Sequence, residues 1–196
     1  MKKILLYFPF LLIGFISEAA DNDSNHDSKY IGQESRVIKS LSLEDIAELE
    51  RGGGWGLAKA AELNGVPGPA HLLEMKDKIP LNQEQIASIT ILYERMREQA
   101  IEKGKKLIAL EIELETHFKE RTITKPLLQS LLDSIAKTKA ELRFIHLATH
   151  LKTPEIISED QIQQYNLLRG YTNTDPCLNI PEGHNADTWL KHNGCE

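Results

Sequence analysis

From Gln83 to Lys119 the chain contains no proline and one glycine, and its apolar residues keep to one helical face: Ile86, Ile89, Tyr93, Met96, Ala100, Leu107, Leu110, Leu114 and Phe118. Gaps of three, four and seven are those of a 3.6-residue period, so this stretch must be a long helix and not a strand. A second stretch begins at Thr124, tolerates Pro126 in its first turn, and carries Leu128, Leu131, Ile135, Thr138, Leu142, Ile145 and Thr149 before Thr153-Pro154 ends it. Only Glu120 to Ile123 separate the two, so they are predicted to fold back as an antiparallel hairpin. At 1.5 Å per residue the helices would be about 55 Å and about 40 Å long, which makes the hairpin elongated. Leu127, Leu132, Leu147 and Leu151 widen the second stripe beyond what two helices can cover for each other. Short flanking helices and a second copy of the chain are the expected cover. Gly104, in the middle of the first long helix, marks a kink, a close approach of another backbone, or a glycine that is merely tolerated.

Two helix starts resemble each other closely. Leu81-Asn82-Gln83-Glu84-Gln85-Ile86 and Ile157-Ser158-Glu159-Asp160-Gln161-Ile162 each place a capping side chain, Asn82 or Ser158, three residues before a glutamine, Gln85 or Gln161, that can reach back to the cap. Leu81 with Ile86, and Ile157 with Ile162, stand at the spacing of a hydrophobic staple. Ser42 is expected to cap a short helix over 43–50, with Leu41 and Ile46 as its staple, and further short helices are expected over 57–63, 70–76 and 159–169. The Gly52-Gly53-Gly54-Trp55-Gly56 segment lacks the following Lys-Ser/Thr of a phosphate loop and reads as a hinge. No strand-period segment of useful length occurs, and the fold class expected is all-α.

The ends set the compartment. Lys2 and Lys3 precede the apolar run Ile4 to Ile16, and Ser17-Glu18-Ala19 supplies small residues for a peptidase, so residues 1–19 read as an export signal cleaved after Ala19. The run is shorter than the roughly 20 apolar residues a membrane anchor needs, and Pro9 interrupts it. Residues 20–36, rich in Asp, Asn and Ser, are expected to be a disordered leader, with order beginning near Val37. The formal net charge is −6, and removing residues 1–19 takes away two lysines and one glutamate, which gives no electrostatic case for nucleic acid. Cys177 and Cys195 are the only cysteines, and in an oxidising compartment the expected pairing is a disulfide within an irregular tail, residues 172–196. A metal site from Cys177, His184, His192 and Cys195 is the alternative, though the spacing matches no standard zinc module.

Boxes of the form Leu/Ile-Thr/Ser/Asn-x-x-Gln before and after a long hairpin in an exported chain resemble the twice-repeated Leu-Thr-x-x-Gln motif of the Spy/CpxP family, with its relatives among periplasmic heavy-metal sensors and zinc-resistance-associated proteins. The stretches Gly56 to His71, His146 to Leu151 and Leu168 to Tyr171 also look like those of a bacterial branch of this group. The resemblance covers residues 37–171, with Asn82 in place of threonine in the first box and Ile157 in place of leucine in the second. It implies a periplasmic, ATP-independent chaperone of the stress response, built as a cradle-shaped homodimer whose concave face holds unfolded or misfolded envelope proteins. A metal-binding sensor or resistance accessory protein is the alternative it implies, and a structural adaptor a third. No nucleophile-base constellation is visible, so an enzyme is not expected and no cofactor is required.

His146 and His150 lie four apart and share a helix face. Folding the hairpin near residue 122 brings them opposite Glu94, Glu98 and Glu102, and an imidazole pair with Glu98 would suit zinc, nickel or copper. Two histidines facing solvent or hydrogen-bonded on the shoulder of the core stripe are the competing reading. His71 and His117 show no comparable partner spacing.

Overall fold

The computed structural model describes residues 28–171, 177, 180 and 183–195. The export signal expected over 1–19, the leader as far as residue 27 and most of residues 172–182 lie outside the described residues. The chain divides into a unit ending at Glu34 and a unit from Ser35 onward. The described part of the first is a run of turns in which the Lys29 ammonium stands 5.2 Å from the Tyr30 ring centroid.

The second unit is all-α, with no strand among the described residues. Its elements are α1 (Leu43–Arg51), α2 (Lys59–Glu62), α3 (Pro69–Glu74), α4 (Gln83–Lys119), α5 (Lys125–Lys152), a 3-10 turn (Thr153–Glu155), α6 (Glu159–Leu168) and α7 (Ala186–His192). The long hairpin, α4 against α5, is the predicted one. Its turn is closed by Arg121 in a left-handed conformation (φ 57°) and by Thr122 N–H donating to the His117 carbonyl at 3.0 Å, while the Thr124 hydroxyl accepts from Leu127 N–H to start α5. Helix α2 is shorter than expected because residues 55–58 are turns that begin at Trp55 (φ 43°) and Gly56 (φ 67°). The C-terminal tail is not wholly irregular as expected: Asn185 caps α7 by accepting from Thr188 N–H at 3.0 Å. That cap, an asparagine three residues before threonine, is short and easily passed over beside Pro- and Gly-rich neighbours.

Two cores hold the unit together. Ile38, Leu41 and Leu49 pack on Ala100 and Leu107 of α4 and on Ile135 and Leu142 of α5, so the α1 layer covers the middle of the hairpin. Ser42 and Asp45 complete a reciprocal capping box that aims α1, and the Trp55 indole N–H donates to Asp45 Oδ1 at 2.7 Å. The crossing is made possible by Gly104, which marks a close approach of another backbone. A Cβ there would lie 2.9 Å from the Leu49 carbonyl carbon and nearer still to its oxygen. At the open end of the hairpin a second core gathers Leu72, Ile79, Ile89, Ile157 and Tyr165, with Leu81 and Ile162 packed against it. Each box thus delivers at least one staple residue to the same core.

Two acidic side chains, Glu111 and Glu62, collect partners from other elements. Glu111, only 5% exposed, receives Lys139 Nζ at 3.0 Å and the Ser40 hydroxyl at 2.9 Å. Glu62 accepts from Tyr165 Oη (3.3 Å), Tyr171 Oη (2.9 Å) and Arg169 (3.1 Å), which ties α2 to the end of α6. On α5 the hydroxyls of Thr138 and Thr149 return to carbonyls four residues back at 2.8 Å, which explains how threonines occupy core positions of a helix.

Candidate functional site

The two boxes meet. Helices α4 and α6 start side by side, and each glutamine amide serves both starts. Gln85 Oε1 accepts from its own cap, Asn82 N–H, at 3.0 Å and from Gln161 Nε2 at 3.0 Å. Gln161 Oε1 accepts from Ser158 N–H at 2.8 Å and from Gln85 Nε2 at 2.9 Å. The remaining amide hydrogens go crosswise, Gln85 Nε2 to the Ile156 carbonyl at 3.0 Å and Gln161 Nε2 to the Pro80 carbonyl at 2.8 Å. Ile156 and Pro80 occupy the same position in their boxes, two residues before the cap, so the arrangement has a local two-fold symmetry. All four hydrogen-bonding capacities of each amide are satisfied, as a low-dielectric setting requires. Sequence reasoning identified Asn82, Gln85, Ser158 and Gln161 as caps but not this mutual bonding. The near-identity of two boxes flanking one hairpin was the available signal for it.

A second constellation lies one layer away. A cavity of about 230 Å³ is lined by His146 and His150 of α5, Tyr93 and Met96 of α4, and the Gly52–Gly54 and Gly68–His71 segments. Neither histidine sits on a solvent-facing shoulder: His146 is 3% exposed and His150 5%. His150 Nδ1 donates to the Val66 carbonyl at 2.9 Å, and its ring lies so close over Gly68 that a Cβ there would be 2.6 Å from Nε2. His146 Nε2 is buried without a hydrogen-bond partner. Burial, followed by the neighbouring His150, pushes the His146 imidazolium pKa down to about 4, so the ring is neutral near pH 7.

The expected carboxylate partners stand elsewhere. Glu94, Glu98 and Glu102 are exposed on α4 and none lines this cavity. His71 and Glu62, which sequence spacing does not connect, do line it; His71 Nδ1 is 2.7 Å from Glu74 Oε2 and its Nε2 is 3.6 Å from Glu62 Oε1. Among the described residues no group of three or more His, Cys, Asp and Glu side chains is arranged to hold a metal ion. Cys177 and Cys195 are joined in a disulfide, so their sulfurs are not metal ligands, and His184 lies edge-on to Trp189 with ring centroids 4.9 Å apart.

The hairpin also leaves apolar side chains uncovered. On α5, Phe144 is 71% exposed and Leu151 69%, seven residues apart and so on one face, while Ile91 of α4 is 61% exposed. A shallow groove beside Phe144 is lined by Ala140 and Ile145 with Lys103 and Glu141, whose charged groups pair at 3.0 Å. No helix among the described residues is long and apolar enough to cross a membrane.

Compared with protein-family models, with curated proteins and with solved structures, the chain has no significant match in any of the three.

Proposed function

We propose that this chain is an ATP-independent, chaperone-like protein of the cell envelope, similar in working principle to the Spy/CpxP family, that holds unfolded protein segments on its helical hairpin. The observation that carries this reading is the pair of Leu/Ile-x-x-x-Gln boxes locked together at the open end of a hairpin that keeps Phe144, Leu151 and Ile91 exposed. Exposed apolar side chains beside charged ones such as Lys103 and Glu141 suit weak, sequence-tolerant binding of apolar segments that needs no fuel. A homodimer would extend this face, and export to the periplasm would place it where unfolded envelope proteins occur.

The test is suppression of aggregation of a chemically reduced client by the purified chain. Equimolar chain should delay light scattering, and Phe144→Lys with Leu151→Lys should abolish the delay while leaving the circular dichroism melt in place. No suppression at several-fold excess of the parent chain would sink the reading.

A further inference from the structure

The geometry points to a binding site for a soft monovalent cation, copper(I) or silver(I), in the cavity beneath the Gly52–Gly54 segment, held by the Met96 thioether and the His146 and His150 imidazoles. The hairpin register places these groups together. Ala100 and Leu142 share the central core, and one helical turn further toward the open end Met96 follows on α4 and His146 on α5, both lining the cavity with His150. Met96 is 6% exposed, so its sulfur is a buried donor and not a surface one.

The state of each donor favours a soft ion. His146 Nε2 is buried and has no partner, an uncompensated polar atom that a cation would satisfy. His150 donates through Nδ1 to Val66, which leaves Nε2 as the ring atom that a cation would meet. The carboxylates that line the same space are already engaged, Glu62 by Arg169, Tyr165 and Tyr171, and Glu74 by His71. The soft donors that line this space are imidazole nitrogen and thioether sulfur. Thioether and imidazole donors without a carboxylate select copper(I) over zinc or magnesium, and neutral donors accommodate one buried positive charge more readily than two. The Glu98 expected as a ligand is therefore replaced by Met96. The inference does not rest on client binding and fails or stands separately from it.

Silver nitrate in chloride-free buffer is a redox-inert probe, and the chain contains three methionines, Met1, Met75 and Met96, whose methyl groups can be followed by carbon-proton NMR. One equivalent of silver should shift the Met96 methyl and the His146 ring signals and leave Met75 unmoved. Met96→Leu, a volume-conserving change that should keep the fold, should weaken silver binding at least tenfold in a chelator competition and leave any zinc binding unchanged. His146→Leu should weaken it as much. An unmoved Met96 methyl at saturating silver, or unchanged affinity in both variants, would overturn the site.

Discussion

Gln85 and Gln161, 76 residues apart, bond to each other twice, at 2.9 and 3.0 Å, and each amide also closes the helix start that its partner belongs to. Removing either side chain leaves a carbonyl, a cap N–H and the other amide short of partners. Gln85→Ala and Gln161→Ala should each destabilise the chain by about 1–3 kcal/mol in urea unfolding. The double variant should cost clearly less than the sum of the singles, with a coupling of about 1 kcal/mol or more, because both lose the same network. Strict additivity would mean that the two caps act independently. Gln161→Glu should be worse than Gln161→Ala near neutral pH, since its carboxylate would face the Pro80 carbonyl and Gln85 Oε1 without a hydrogen to donate.

Gly104→Ala tests the helix crossing. Helix propensity alone predicts a gain of about 1 kcal/mol, whereas the added methyl would collide with the Leu49 carbonyl. The collision should win, because both contacting groups are backbone and cannot rotate away, and the net loss should be about 1 kcal/mol or more. A rise in melting temperature would refute the contact.

These two sites show what could be read from the residues and what could not. The hairpin was legible because the period of Ile89, Met96, Leu107, Leu131, Ile135 and Leu142 is a local property, as are the caps at Asn82 and Ser158. Gly104 could be singled out, but its role depended on where Leu49 arrives. His146 was read as lying beside the stripe, with Ile145 in it. In the structure His146 takes a core position and Ile145 is only half-buried. The cavity, the Glu62 hub and the Gln85–Gln161 pair join elements far apart in the chain, and spacing along it carries no record of such meetings.

Acid should destabilise the fold in two separable steps. The folded-state pKa of His146 is depressed from 6.5 to about 4, so the unfolded chain binds the proton more tightly. Its contribution is complete above pH 6.5 and is lost as pH falls from there toward 4, by up to about 3 kcal/mol. Asp45, whose pKa is lowered chiefly by the Ser42 hydroxyl and then by Trp55, and Glu115, lowered chiefly by Lys39, lose their contributions only below the ordinary carboxylate range. Urea midpoints measured across pH should therefore fall between 6.5 and 4 in the parent chain and stay nearly level there in His146→Leu.

The turn of the hairpin carries a correctable cost. Arg121 adopts φ 57°, a conformation that glycine enters without steric penalty. Arg121→Gly should raise stability by about 0.5–1 kcal/mol after the entropy of the unfolded glycine is counted against it. Thermal melts at matched pH would check the sign.

Reduction of the Cys177–Cys195 disulfide should act on the tail alone. Helix α7 has no buried residue and contributes to neither core. Hydrogen exchange in α7 should accelerate on reduction while amides of α4 and α5 keep their protection.

The notch at Gly104 has a mechanical meaning as well. Sliding α1 one turn along α4 would set the Leu49 carbonyl over Ala100 in one direction and over Leu107 or Ile108 in the other, each of which presents a side chain where the present seat has none. The N-terminal layer therefore has a single detent on the hairpin. A slide along the hairpin in either direction would drive the Leu49 carbonyl against a side chain, so the notch fixes the register of α1 as well as its distance.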